Sequence, residues 1–263
     1  MEFQRKEKYS MEDLLQIMKL LRAPDGCPWD REQTHQSIRN CFIEETYEAV
    51  EAIDTEDATL LQEELGDVLL QVLFHAQLEQ EAGRFDFSDV VDGEAKKMVE
   101  RHPHVFGTVV VDGTEDVLTN WDAIKKKTKD QKTQTEVLQS VSKALPALMR
   151  SQKVQQKAAK VGFDWPDVSG ALDKVEEETA ELREAIHSGN EEACVEELGD
   201  LLFSVVNVSR FLHADAEQSL SQACEKFIAR FQKVEEQAKA QGVDMMSAGI
   251  EELDKLWNEA KKM

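Results

Sequence analysis

A chain of 263 residues with 31 basic and 53 acidic side chains carries a formal charge of −22. Such a balance excludes general binding to nucleic-acid backbones or anionic membranes, which need clustered cations, although a divalent metal can still bridge an acidic protein to a polyanion. Charged residues make up 32% and aromatics 6%, and there is no apolar run long enough for a membrane span and no apolar signal core near Met1. An all-α, cytoplasmic protein with solvated helix faces is expected. Cys27, Cys41, Cys194 and Cys224 are scattered without metal-type pairing and read as reduced thiols.

Taken in order, helical periodicity dominates. Met11 to Leu21 is amphipathic, and Ala23-Pro24-Asp25-Gly26-Cys27-Pro28-Trp29-Asp30 breaks it. Helix resumes near Glu32 or Ser37 and runs to Asp54; another spans Asp57 to Glu81, closed by Gly83; a third covers Phe85 to Arg101. After the break His102-Pro103-His104, the run Thr108 to Val111 is locally strand-like but isolated, and 115–127 reads as helix. The lysine-rich stretch Lys125 to Gln139 has nothing to bury and reads as a linker. Beyond it, helices are expected over 143–160, 168–187, 190–213, 215–241 and 247–262, with Gly162 to Asp167 as the second breaker.

The two halves repeat each other. Glu45 and Glu48 match Glu178 and Glu181 at an offset of 133, and Glu64 and Asp67 match Glu197 and Asp200 at the same offset. Lys97 and Arg101 match Lys226 and Arg230 at 129, and Trp121 and Lys125 match Trp257 and Lys261 at 136. Eight positions persist in order while the loops between them change length, which marks a duplicated domain: 8–130 and 138–263. The expected fold is two tandem helical bundles.

The repeated stretch Glu-Glu-Leu-Gly-Asp opens a long apolar run in each half. Glu64 has Leu60, Leu61 and Val68 as helical neighbours, and no lysine or arginine stands at i±4 to pair with it. A carboxylate on an apolar face must be paired, protonated or bound to metal. In ExxE and ExxD the two acids rise one turn apart on nearly one side, so two such helices packed antiparallel bring four carboxylates together. That is a hard, all-oxygen site suited to magnesium, with manganese as a substitute. The glycine before each aspartate suggests close approach of a partner helix. Lys226 and Arg230 are i, i+4 cations for phosphate oxygens, and Trp257 with Lys261 offers an aromatic platform beside a charge.

The bland readings stand beside these. Single ExxE pairs abound in so acidic a chain, tryptophans more often pack than bind, and His35 and His187 read as surface residues off the acid-bearing helix. His102 and His104 read as a structural turn. A metal-free acidic helical scaffold and a redox di-metal carboxylate protein are the alternatives of other classes.

With Cys-Pro-Trp-Asp at 27–30, Arg-His-Pro-His-Val-Phe at 101–106 and Val-Gly-Phe-Asp-Trp at 161–165, the chain resembles the MazG family of tandem-domain nucleoside triphosphate pyrophosphohydrolases, from about Met11 to Lys261. The resemblance implies a homodimer and magnesium-dependent hydrolysis of ribo- and deoxynucleoside triphosphates, non-canonical ones included, to monophosphate and pyrophosphate. It implies that the second domain is catalytic and the first mainly structural. Metal ligands would be Glu178, Glu181, Glu197 and Asp200, with Glu178 and Glu197 catalytic. The nucleotide contacts would be Lys174, Glu196, Lys226, Arg230, Trp257 and Lys261. Glu45, Glu48, Glu64, Asp67, Lys97, Arg101 and Trp121 are the intact counterparts, a second site in the first half. One departure is visible: Ala193 stands where the family can place a lysine.

The halves differ in ways that favour the second. Lys143, Arg150, Lys153, Lys157, Lys160 and Lys174 face only Asp164, Asp167 and Asp173 in the same stretch, and Asn207 lies seven residues beyond Asp200 where the first half has Phe74.

Overall fold

The computed structural model describes residues 3–128 and 131–262, with the backbone alone at 122 and 126–128. Among the described residues it contains thirteen helices and no strand. The chain divides into two compact units, Met1–Lys125 and Lys126–Met263.

In the first unit, α3 (Arg39–Asp54) packs along α4 (Ala58–Glu81), with α1 (Met11–Leu21) and α5 (Phe87–Arg101) also against α4. The turn between α3 and α4 is three residues long, which sends the second helix back along the first. Asp57 fixes where α4 begins, its side chain accepting from the Thr59 and Leu60 amides at 3.0 Å each. The core of this unit is Met18, Ile38 and Phe74, with Leu70 and Leu78 against them.

Between these helices lie α2 (Pro28–Glu32) and, after α5, α6 (Pro103–Phe106) and α7 (Thr114–Thr128). The breaker 23–30 therefore turns helical at its end: Pro28 occupies the first position of α2, where its missing N–H costs nothing. Residues 108–111 join no sheet.

The second unit repeats the pair: α10 (Val168–Ser188) lies along α11 (Glu191–Phe211), and α9 (Ala147–Ala159) packs on α11. Gly189 takes the left-handed conformation at φ 68°, closing α10, and Asn190 caps α11 by accepting from the Ala193 amide at 3.2 Å. The long α12 (Ala216–Gln241) packs chiefly on α13 (Ile250–Ala260) around Val234, Ala238, Leu256 and Ala260. The expected linker ends in a further helix, α8 (Gln134–Gln139), held by a capping box between Thr133 and Glu136. Residues 129 and 130 of that stretch lie outside the described residues. Among the described residues no helix is long and apolar enough to cross a membrane.

Candidate active site

The helix pairs bring the acids together as their spacing requires. In the second unit, carboxylate oxygens of Glu178 on α10 and of Glu197 and Asp200 on α11 lie within 4.8 Å of one another. Glu181 joins an adjoining group with Glu177 and Glu178. In the first unit Glu45 and Glu48 on α3 meet Glu64 on α4 within the same limit, and Asp67 stands close enough to raise the carboxyl pKa of both Glu45 and Glu64.

Both clusters carry the electrostatic signature of crowded like charges. Loss of hydration, then the charges of Glu181, Glu178 and Asp200, push the Glu197 carboxyl above the ordinary range. Glu64 is raised by lost hydration and then by Glu48, Asp67 and Glu45; Glu45 is raised by lost hydration and then by Asp67, Glu48 and Glu44. Glu64 is 7% exposed and Glu178 4%, and each keeps its Oε2 without a hydrogen-bond partner. Bare, buried lone pairs on an all-oxygen anionic set fit a hard divalent cation such as magnesium or manganese, and fit a redox metal poorly because no imidazole is among them.

The clusters differ in one charge. Lys174, one turn before Glu178, forms an ion pair with it and another with Glu177 at 2.8 Å, which hold its ammonium above the usual lysine range. The lack of a neighbouring cation therefore describes Glu64 and not Glu178. At an offset of 133 the first unit has Cys41, so no lysine stands one turn before Glu45.

The remaining sequence-derived residues fall in two further places. Trp257 on α13 packs against Phe227 at 4.9 Å between ring centres, with the Lys261 ammonium 6.0 Å from its ring. Lys226 and Arg230 lie on α12 and contact none of the acids among the described residues, and Glu196 is exposed on α11. In the first unit Arg101 stacks over Trp121 at 5.2 Å, while Lys97 pairs with Glu94.

Two readings need correction. Apart from its own helix backbone and chain neighbours, nothing among the described residues lies within 4 Å of where a Cβ would stand on Gly66 or Gly199, so no second helix of its unit approaches either glycine closely. His35 is no free surface residue: its ring stacks on His75, which does lie on α4, with 2.7 Å between the Nδ1 atoms. Its Nε2 lies 2.7 Å from Glu79. Arg84 clamps the same Glu79 at 2.7 Å. Forty residues separate the two histidines, so no local pattern announces their pairing.

What sequence reasoning missed is a cavity of about 430 Å³ in the second unit, lined among others by Gln155, Phe163, Trp165, Phe203 and Asn207. The second breaker, read from the sequence only as the stretch that separates two helices, lines it with residues 162–165. The recurrence of a tryptophan in both breakers, Trp29 and Trp165, was the available signal.

Paired acid-bearing helices repeated in tandem define an all-α protein with two clusters of carboxylates. The MazG nucleotide pyrophosphohydrolase domain matches residues 33–106 and 169–235, and the chain belongs to the MazG family. It is 45% identical to the nucleoside triphosphate pyrophosphohydrolase/pyrophosphatase MazG of Thermotoga maritima, across 95% of each chain. It is 44% identical to the nucleoside triphosphate pyrophosphohydrolase of Escherichia coli K12, across 95% of this chain and 96% of that one. Bacillus subtilis YabN, an uncharacterised protein, is 51% identical over 94% of this chain and half of its own length.

Proposed function

We propose that the second unit hydrolyses nucleoside triphosphates, ribo and deoxy and non-canonical ones included, to the monophosphate and pyrophosphate, with magnesium as the metal. The observation that carries this reading is the meeting of Glu178, Glu197 and Asp200 around a buried, unpartnered carboxylate oxygen, in a chain whose relatives bear that activity in their names. Glu178, Glu181, Glu197 and Asp200 would hold the cation. When bound, it would supply the positive charge that lets these carboxylates share one space with a triphosphate.

The chain's own groups then divide the work. Glu178 Oε2 is an acceptor with nothing bonded to it, suited to take a proton from an attacking water. Lys174 exchanges its carboxylate partners for phosphate oxygens as substrate enters. Lys226 and Arg230, which carry no ion pair among the described residues, neutralise the leaving pyrophosphate. Glu196, Trp257 and Lys261 complete the nucleotide contacts. Phosphate-product analysis over a panel of nucleoside triphosphates, with and without magnesium, tests the reading; release of orthophosphate alone would overturn it. Glu197→Ala is expected to abolish hydrolysis while Glu64→Ala leaves most of it, and equal losses would reassign the active half. Hydrolysis in oxygen-18 water identifies the phosphorus attacked.

The chain also acts as a homodimer in this reading. Val195 (72% exposed), Leu198 and Leu202 form one apolar stripe on α11 beside the bare Gly199, a surface that a second copy would cover. Light scattering at micromolar concentration is expected to give twice the mass of one chain.

A further inference from the structure

Two imidazoles of the first unit meet where the proposed chemistry has no use for them. His35 lies on the turn that leads into α3, and His75 lies on α4, about two turns beyond Asp67. Their rings are parallel within 1°, with 2.7 Å between the Nδ1 atoms, and Phe42 of α3 packs on His75 at 5.6 Å between ring centres. On its other side His35 Nε2 lies 2.7 Å from Glu79, a carboxylate that Arg84 and then His35 keep ionised.

A carboxylate only accepts, so the His35 Nε2–H donates to Glu79. The two Nδ1 atoms are left facing each other with room for one proton. With one, either ring donates to the other, and the pair can carry a single positive charge beside Glu79 without losing that bond. With two, both Nδ1 atoms are donors, no acceptor remains, and two cations stand 2.7 Å apart. The contact is a bond in one protonation state and a collision in the next.

The surrounding charges do not relieve the second proton. Glu79 and Arg84 are already bonded to each other. Arg22, at the end of α1, spends its guanidinium on Glu81 at 2.7 and 2.8 Å and on the Gln33 carbonyl at 3.4 Å. At the near end of α3, Arg39 bonds to Asn40 and Cys41 is a half-buried thiol. Lys19 of α1 and Asp86 before α5 line a hollow on the opposite side of α4, beside Leu73, Ala76 and Gln80. Burial, and then His35, hold the His75 imidazole below its ordinary 6.5.

The pair fastens the stretch that delivers α3 to α4. Arg22 ties one end of that stretch to Glu81, and His35 ties the other to Glu79 and His75. Between them Thr34 and Ser37 bond to each other's amides at 2.9 and 3.2 Å, and Ile38, 3% exposed, packs with Met18 and Phe74. The next residue opens α3, which carries Glu45 and Glu48 to Glu64. The second unit has no such fastening. At the 133-residue offset of the acids, Val208 and Leu212 stand for His75 and Glu79. Between that offset and the 136 of the two breaker tryptophans, the places matching His35 run from Val168 to Ala171, none of them ionisable.

We propose that the His35–His75 pair is an acid-sensitive latch of the first unit, closed on one shared proton and released from α4 when a second proton enters. The closed form binds that proton less readily than the open one, so closure is favoured above the ordinary histidine range and lost as pH falls below it. The test is hydrogen–deuterium exchange of the full-length wild type and of His75→Asn at about pH 7.5 and about pH 5.5, corrected for intrinsic exchange rates. The asparagine amide keeps a donor near the place of Nδ1 and cannot become charged. In the wild type, peptides covering 33–42 are expected to lose protection roughly tenfold at the lower pH while those covering 168–190 hold theirs. In His75→Asn both stretches should keep theirs. Equal protection of 33–42 at the two pH values in the wild type, or the same acid loss in the variant, would overturn the latch. Nitrogen-15 NMR of histidine-labelled wild type decides the matter without any variant: one N–H shared by the two Nδ1 atoms and a stepwise, coupled titration are expected, and two independent titrations would overturn it.

Discussion

At the scale of residues, the chain tolerates acids in places where hydration is poor, and this has measurable consequences without any ligand. Glu64 is buried among like charges with one oxygen unpartnered. Replacing it by glutamine removes the repulsion and keeps the shape, so Glu64→Gln is expected to raise the melting temperature in metal-free buffer at neutral pH and to reduce the further rise expected of the wild type on adding magnesium. A lower melting temperature in metal-free buffer would mean that the cluster has a compensating partner. Glu79 behaves oppositely. Arg84, then His35, hold its carboxyl down at about 2, against an ordinary 4.5. Because the folded pKa is the lower one, the unfolded chain binds the proton first. The stabilisation is complete above about pH 4.5 and is lost as pH falls from there towards 2. In Glu79→Gln the fall of melting temperature over that window should shrink; an unchanged profile would assign acid lability to other carboxylates. His75, whose pKa is lowered by burial and then by His35, withdraws stability in the same direction as pH drops below its ordinary 6.5.

At the scale of elements, the helix ends and the acid spacing were legible, because both are local. Asp57 and Asn190 are capping residues next to apolar periodicity, and they open α4 and α11 where expected. Asn190→Ala is expected to cost about 1 kcal/mol of stability in chemical denaturation, the usual worth of such a cap. The helix α8 was hidden by its lysine-rich surroundings, although Thr133 and Glu136 carry the spacing of a capping box. The His35–His75 stack and the ring of residues around the cavity were not legible. They join segments dozens of residues apart, and no periodicity within one helix encodes a distance between two. Phe74 could be read from its apolar run as a core residue, and Phe74→Ala is expected to cost about 3–5 kcal/mol by opening a hole among Met18 and Ile38. Unfolding midpoints measure it; a loss under about 1 kcal/mol would mean the site collapses freely.

At the scale of the whole molecule, the two units use one plan with different interiors. Each folds its acids onto a pair of helices joined by a tight turn, and each was recognisable in the sequence through its repeat. The role of the repeated glycine was not recognisable, since a missing side chain makes room without saying for what. In the fold that room is open, with Leu198 and Leu202 on the same surface of the second unit.

The contrast between Phe74 and Asn207 reaches beyond catalysis. A census of the clustered carboxylates alone would rate the halves as equals, since all four stand in each. What separates them is the interior: an aromatic ring is packed in one unit where the other keeps a carboxamide beside a hollow. A filled interior gains packing contacts that a hollow one forgoes, so the first unit draws stability from a position where the second draws none.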